Sequence, residues 1–151
     1  MSAGIVVDTN VLVYALDARD AAKQQASRAL LAALAEAGQG VLTAQVIAEY
    51  FSVVTRKLAP PLDPVTAALH VADYRRAFAV LDVSADAVEE ALRGVCEHQL
   101  SFWDAQLWAA ARIAGFDVVL SEDFEDGRSI DGVRFVDPFR RGFRLEGWLG
   151  A

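Results

Sequence analysis

The sequence predicts an α/β protein in which a mainly parallel sheet is covered by helices on both faces. Two observations carry this: short apolar runs of strand length alternate with longer helical stretches, and most of those stretches begin or end on a recognisable cap. The first run, Ile5 to Val7, is wholly apolar, as expected of a strand buried on both sides.

That strand ends at Asp8-Thr9-Asn10 and leads into a helical segment from about Val11 to Leu16. Ala21 to Ala37 is alanine- and leucine-rich and helical in character, and Gly38 stands where a C-cap glycine belongs. Val41-Leu42-Thr43 predicts a second strand, with Thr43 capping a helix from Ala44 to about Leu58 that Pro60 and Pro61 stop. Asp63-Pro64 supplies an acidic cap and a first-position proline for a helix over Val65 to Phe78. Val80 to Val83 predicts a third strand, after which Ser84 caps a helix with Asp86, Glu89 and Glu90 toward its positive end. Ser101 to Ala114 is the most apolar helix and is expected to be central and buried. Asp117 to Ser121 gives strand four, Asp126-Gly127 a turn, and Val133 to Val136 strand five, before a tail with Phe139, Phe143 and Trp148.

At 151 residues and 16.3 kDa the chain suits one domain, residues 1–151, with 138–151 as a C-terminal tail. No apolar run approaches the roughly 20 residues of a membrane-spanning helix. The opening Met1 to Asp8 lacks a basic segment and reaches an acid too early for a signal peptide, so a cytoplasmic protein is expected. The single cysteine, Cys96, is expected to be a small core residue. A net charge of -7 and a pI near 4.7 argue against holding nucleic acid by broad phosphate neutralisation, but leave nucleic acid open as a substrate. Lys23 and Lys57 are the only lysines. Arg56, Arg75, Arg76, Arg140, Arg141 and Arg144 are expected on solvated faces, with substrate contact as the other reading.

Four acids stand out. Asp8 and Asp123 lie beyond strands one and four, where open parallel sheets place their ligand sites. Asp104 sits in the first turn of its helix and can face the same edge, whereas Glu49 is deeper in a helix that must lean over the site. Each has an ordinary alternative. Asp8 can cap the helix after it, Glu49 can be solvated, Asp104 is spaced from Ser101 as a capping box, and Asp123 lies in an acidic turn with Glu122, Glu125 and Asp126. Carboxylates without a basic partner are costly to gather in an interior unless a cation neutralises them, which points to a divalent-metal site.

The segments Asp8-Thr9-Asn10-Val11-Leu12-Val13-Tyr14-Ala15-Leu16-Asp17, Gln45-Val46-Ile47-Ala48-Glu49-Tyr50-Phe51, Ser101-Phe102-Trp103-Asp104-Ala105 and Leu120-Ser121-Glu122-Asp123-Phe124, in this order, resemble the PIN-domain family of metal-dependent ribonucleases, especially its VapC-type toxins. The resemblance implies a three-layer α/β/α sandwich and makes Asp8, Glu49, Asp104 and Asp123 the quartet that binds one or two Mg²⁺ or Mn²⁺ ions. It makes Thr9 and Asn10, and more weakly Ser121, the hydrogen-bond donors that orient the quartet, with Asp126 as a possible accessory; Glu122 and Glu125 are read as solvated. It further implies endonucleolytic cleavage of single-stranded or looped RNA to a 5′-phosphate and a 3′-hydroxyl, an antitoxin protein as partner, and a homodimer. Tyr14, Leu30, Leu31, Tyr50, Phe51, Phe143 and Trp148 are the apolar candidates for those interfaces, with core packing as the alternative for each.

Oxygen ligands suit Mg²⁺, and hydrolysis on a metal requires no histidine; His70 and His98 are expected to be surface or packing residues. Rival chemistries lack their residues. Asn10 occupies the place of a second phosphatase aspartate, no lysine stands near the last strand as a receiver domain needs, and no glycine-lysine-serine/threonine triplet or zinc ligand set occurs. The alternative from another class is a catalytically silent module of the same fold that acts through protein contacts.

Overall fold

The computed structural model describes residues 3–150; Met1, Ser2 and Ala151, the outermost positions of the expected domain, lie outside the described residues. Strands β1 (Ile5–Val7), β2 (Gly40–Thr43), β3 (Ala79–Leu81), β4 (Val118–Leu120), β5 (Ser129–Ile130) and β6 (Val133–Val136) form one sheet in the order β3-β2-β1-β4-β6-β5. All pairings are parallel except β5 with β6. The helices are α1 (Thr9–Tyr14), α2 (Ala21–Ala37), α3 (Ala44–Arg56), α4 (Pro64–Ala77), α5 (Ala85–His98) and α6 (Phe102–Ile113). Consecutive residues of a strand point to opposite faces, so the burial of Ile5, Val6 and Val7 alike means that β1 is covered on both.

The expected caps close the helices. Asp63 and Ser84 each accept from a backbone N–H in the first turn of their helix, Thr43 does so for α3, and Gly38 ends α2 with a left-handed φ of 65°; Ser101, the ordinary alternative raised for the Asp104 segment, does cap α6. The core runs through α6, where Trp108 is fully buried and donates its indole N–H to the Ile130 carbonyl at 3.1 Å. Helix α5 packs against α6 at Gly94; a Cβ there would stand 2.9 Å from Cζ3 of Trp108, so only glycine admits this approach.

Several expectations need correction. Strand β5 was not expected; the Asp131-Gly132 turn, with φ of 47° and 85°, folds it back on β6 as a two-residue hairpin. Cys96 is exposed rather than packed, because the buried stripe of α5 runs through Ala87, Ala91 and Gly94 and misses it. Tyr50, Leu30 and Leu31 are core residues, and of the apolar interface candidates Phe51 is the one that stays exposed. Among the described residues no helix is long and apolar enough to cross a membrane.

The topology fixes where a ligand site belongs. From β1 the chain runs to β2 and β3 on one side and to β4 and β6 on the other, so the direction of winding reverses between β1 and β4. In such sheets the crevice opens beyond the carboxyl ends of the two strands that flank the reversal. Asp8 follows the last residue of β1, and its N–H donates to the Leu120 carbonyl of β4 at 2.9 Å.

Candidate metal centre

Asp8 ends β1 and caps α1, with its Oδ1 accepting from the Thr9 N–H at 2.7 Å and its Oδ2 from the Ser121 hydroxyl at 2.7 Å. It is almost wholly buried. Burial pushes its carboxyl up to about 7; the hydrogen bonds from Ser121 and Thr9 pull the other way, and the charges of Asp123 and Glu49 push it further up.

Asn10 bridges to the second strand end. Its Nδ2 lies 3.4 Å from Oδ2 of Asp8, 3.1 Å from the Ser121 hydroxyl and 3.2 Å from Oδ2 of Asp123. Two of those neighbours are carboxylates, which only the NH₂ end of the amide satisfies, so the orientation is forced. The Asn10 Oδ1 is left buried without a hydrogen-bond partner among the described residues. Ser121, fully buried, also accepts from the Asp123 N–H at 3.1 Å and so ties Asp123 to Asp8.

Helix α3 does lean over this edge. The Thr9 hydroxyl donates to Oε2 of Glu49 at 3.0 Å, and Gln45, one turn earlier on α3, donates to Oε1 at 2.6 Å. Gln45 also donates to the Trp103 carbonyl at 3.0 Å, which anchors α3 to the start of α6. Asp104 follows in that first turn, its N–H held by the Ser101 hydroxyl at 3.2 Å. Burial raises the Asp104 carboxyl above the usual range; a Ser101 hydrogen bond opposes this, and the charges of Asp123 and Glu49 add to it. Asp8 and Asp104, from different elements, thus both feel the charges of Asp123 and Glu49.

None of the four forms an ion pair with Lys, Arg or His among the described residues. Nor do three or more Asp, Glu, His or Cys side chains stand as a formed metal cage there. Thr9, Asn10 and Ser121 occupy the spaces between the carboxylates. The donor chemistry fits a hard divalent cation: the charged groups are all carboxylates, two of them, Asp8 and Asp104, desolvated and resisting ionisation, and neutral donors hold their orientation.

Two neighbouring acids do other work. Asp126 accepts from the Asp137 N–H at 2.9 Å and pairs with Arg140 at 3.1 Å, so both its oxygens fasten the tail. Glu122 is not simply solvated; Lys23 reaches it at 2.8 Å and the Tyr14 hydroxyl also donates to it. Gln45 and the Lys23–Glu122 pair were missed in the sequence. Gln45 carried a signal, since it stands four residues before Glu49 on one helix face.

A family model described as PIN domain matches residues 5–127. No protein of curated function matches the sequence. Among solved structures the chain is similar to VapC20 of Mycobacterium tuberculosis, a sarcin-ricin-loop-cleaving toxin, at 24% identity and a TM-score of 0.62 over 77% of this chain and 87% of that one. A toxin–antitoxin complex from Klebsiella pneumoniae matches at 20% identity and a TM-score of 0.63 over 90% and 98%. DNA-bound VapBC from Salmonella typhimurium matches at 15% identity and a TM-score of 0.66 over 91% and 99%. At these identities the likeness to the solved structures establishes a common fold.

Proposed function

The chain belongs to the PIN-domain family, and from that premise we propose that it is a divalent-metal-dependent endoribonuclease. The observation that supports the reading is that Asp8 and Asp123, joined through Ser121 and Asn10 at the winding reversal of the sheet, and Glu49, joined to Asp8 through Thr9, have no basic partner among the described residues, while Asp104 feels the charges of Asp123 and Glu49.

These four carboxylates would hold Mg²⁺ or Mn²⁺, which when bound supplies relief of phosphate charge and a water of lowered pKa. The chain's own residues set the stage. Ser121 and the Thr9 N–H fix both oxygens of Asp8, Thr9 and Gln45 fix those of Glu49, and Asn10 holds Asp123 toward Asp8. No histidine is engaged: His70 hydrogen-bonds Tyr50 at 3.0 Å, and His98 packs on Trp108 beside Asp131. Proton handling at this edge falls to carboxylates and solvent. Hydrolysis with a 3′-oxygen leaving group gives a 5′-phosphate and a 3′-hydroxyl. The acidic chain requires the metal to offset its charge near RNA.

The similar structures described as toxins and toxin–antitoxin complexes support a further assignment, the toxin of a toxin–antitoxin pair with an antitoxin protein as partner; a second copy of the chain is proposed as another partner. Exposed Phe51, Val65 and Leu69 on α3 and α4 offer apolar surface for such contacts. The test is cleavage of a panel of structured RNAs by the purified chain in chelator, then in Mg²⁺ or Mn²⁺, with the product ends identified. Cleavage only with metal, leaving 5′-phosphates, supports the reading; a chain that binds Mn²⁺ yet leaves every RNA uncut would instead be the silent binding module.

A further inference from the structure

Beside the acids lies a cavity of about 530 Å³ that the proposed hydrolysis does not use. Ala44, Ala48 and Val83 line it, Trp103 forms one wall, and Gln45, Glu49, Ser52 and Gln106 supply its polar side chains. Glu49 thus belongs to both the cavity and the acid cluster, and Trp103 immediately precedes Asp104. Trp103 is 61% exposed, unusual for the largest apolar side chain, and packs at 76° on Phe102 with ring centroids 5.0 Å apart.

The polarity of the cavity follows from a chain of hydrogen bonds. Gln45 donates its NH₂ to the Glu49 carboxylate and the Trp103 carbonyl, both of which only accept. Its Oε1 must therefore face Gln106, whose Nε2 donates to it at 2.7 Å. That leaves Oε1 of Gln106, on a side chain only 7% exposed, accepting no hydrogen bond among the described residues. The Gln106 oxygen and the Glu49 carboxylate are thus acceptors open to the cavity, and the Ser52 hydroxyl can accept as well as donate, between apolar walls and a flat indole. A flat, neutral ligand whose edge carries N–H donors complements all of them.

We propose that this cavity is a nucleobase subsite, in which an unpaired base of the RNA next to the scissile phosphate stacks on Trp103 and donates an exocyclic amino group to Gln106. Adenine, cytosine and guanine carry that amino group; uracil presents two carbonyls flanking a single N–H and is disfavoured beside the Glu49 carboxylate. The subsite deepens the nuclease reading and rests on it for the identity of the polymer, but base binding itself needs neither metal nor cleavage.

The test uses the full chain in EDTA with adenosine, cytidine and uridine as probes. The Trp103 indole N–H resonance, assigned with Trp103→Phe, is expected to move with adenosine and cytidine more than with uridine, while buried Trp108 stays still. In metal, Trp103→Ala is expected to raise KM for RNA roughly 5- to 100-fold with kcat within about threefold, and Trp103→Phe to restore most of the loss. A Trp103 resonance indifferent to every nucleoside, or an unchanged KM in Trp103→Ala, overturns the subsite while metal-dependent cleavage stands. A shift with protein concentration alone overturns it as well, since a second copy then covers the cavity. Nucleoside binding by a chain that cuts no RNA supports the subsite and ends the nuclease reading.

Discussion

The Ser121 hydroxyl donates to Oδ2 of Asp8 across 2.7 Å, linking two strand ends that are 113 residues apart in the chain. The bond spans the winding reversal of the sheet, and the same hydroxyl receives the Asn10 amide and the Asp123 N–H. One buried oxygen therefore sets the relation between two of the four acids.

Ser121→Ala removes all three contacts without adding bulk. We predict a 10- to 100-fold loss of Mn²⁺ affinity or RNA cleavage, the usual order for losing a partner that orients a metal-binding carboxylate. The fold is expected to survive with a cost of about 1–3 kcal/mol. Titration calorimetry with Mn²⁺ and urea denaturation separate the two effects; affinity equal to wild type contradicts the assigned role.

Thr9→Val keeps the shape of the side chain and deletes the donor to Glu49. Cleavage is expected to fall about tenfold, with Thr9→Ser restoring it, since the Ser hydroxyl can make the same bond. The comparison is kinetic, on one RNA, with melting temperature as the control for folding.

The Asp8 carboxyl gives a pH dependence of known sign. Its folded-state pKa of about 7 lies above the ordinary 3.8, so the folded chain holds this proton more tightly than the unfolded one. The resulting stabilisation is complete below about pH 4 and is lost as the pH rises through 7. In EDTA, wild-type protein is therefore expected to lose stability between pH 5 and pH 8, by up to a few kcal/mol. Asp8→Asn should lose less, and urea denaturation at both pH values reads the difference.

Gly94→Ala puts a methyl group 2.9 Å from the Trp108 ring and 3.3 Å from Cβ of Ala105. Trp108 is enclosed and cannot swing away. A loss of about 1–3 kcal/mol is predicted despite the better helix propensity of alanine, measured by urea denaturation.

The fold was legible where local chemistry decides it. Thr43, Asp63 and Ser84 cap the helices they were expected to cap, and Gly38 takes the left-handed position. Strand β5 was not legible, because two residues carry no periodicity; its one signal was the Asp131-Gly132 pair. Within the site, Asp8 and Asp123 could be placed from strand ends alone. Glu49 could not, since its position depends on the packing of α1 against α3 and on Thr9, 40 residues away. Glu122 looked solvated among its acidic neighbours because its partner Lys23 lies 99 residues off. Cys96 showed the reverse error, an alanine-rich neighbourhood hiding that it falls off the buried stripe of α5.

The most direct test compares wild type with Asp8→Asn on one susceptible RNA in Mn²⁺, both purified identically so that a contaminating ribonuclease would act equally in each. The account predicts that cleavage falls by orders of magnitude in the variant while the fold is kept. Equal cleavage by the two proteins would contradict it.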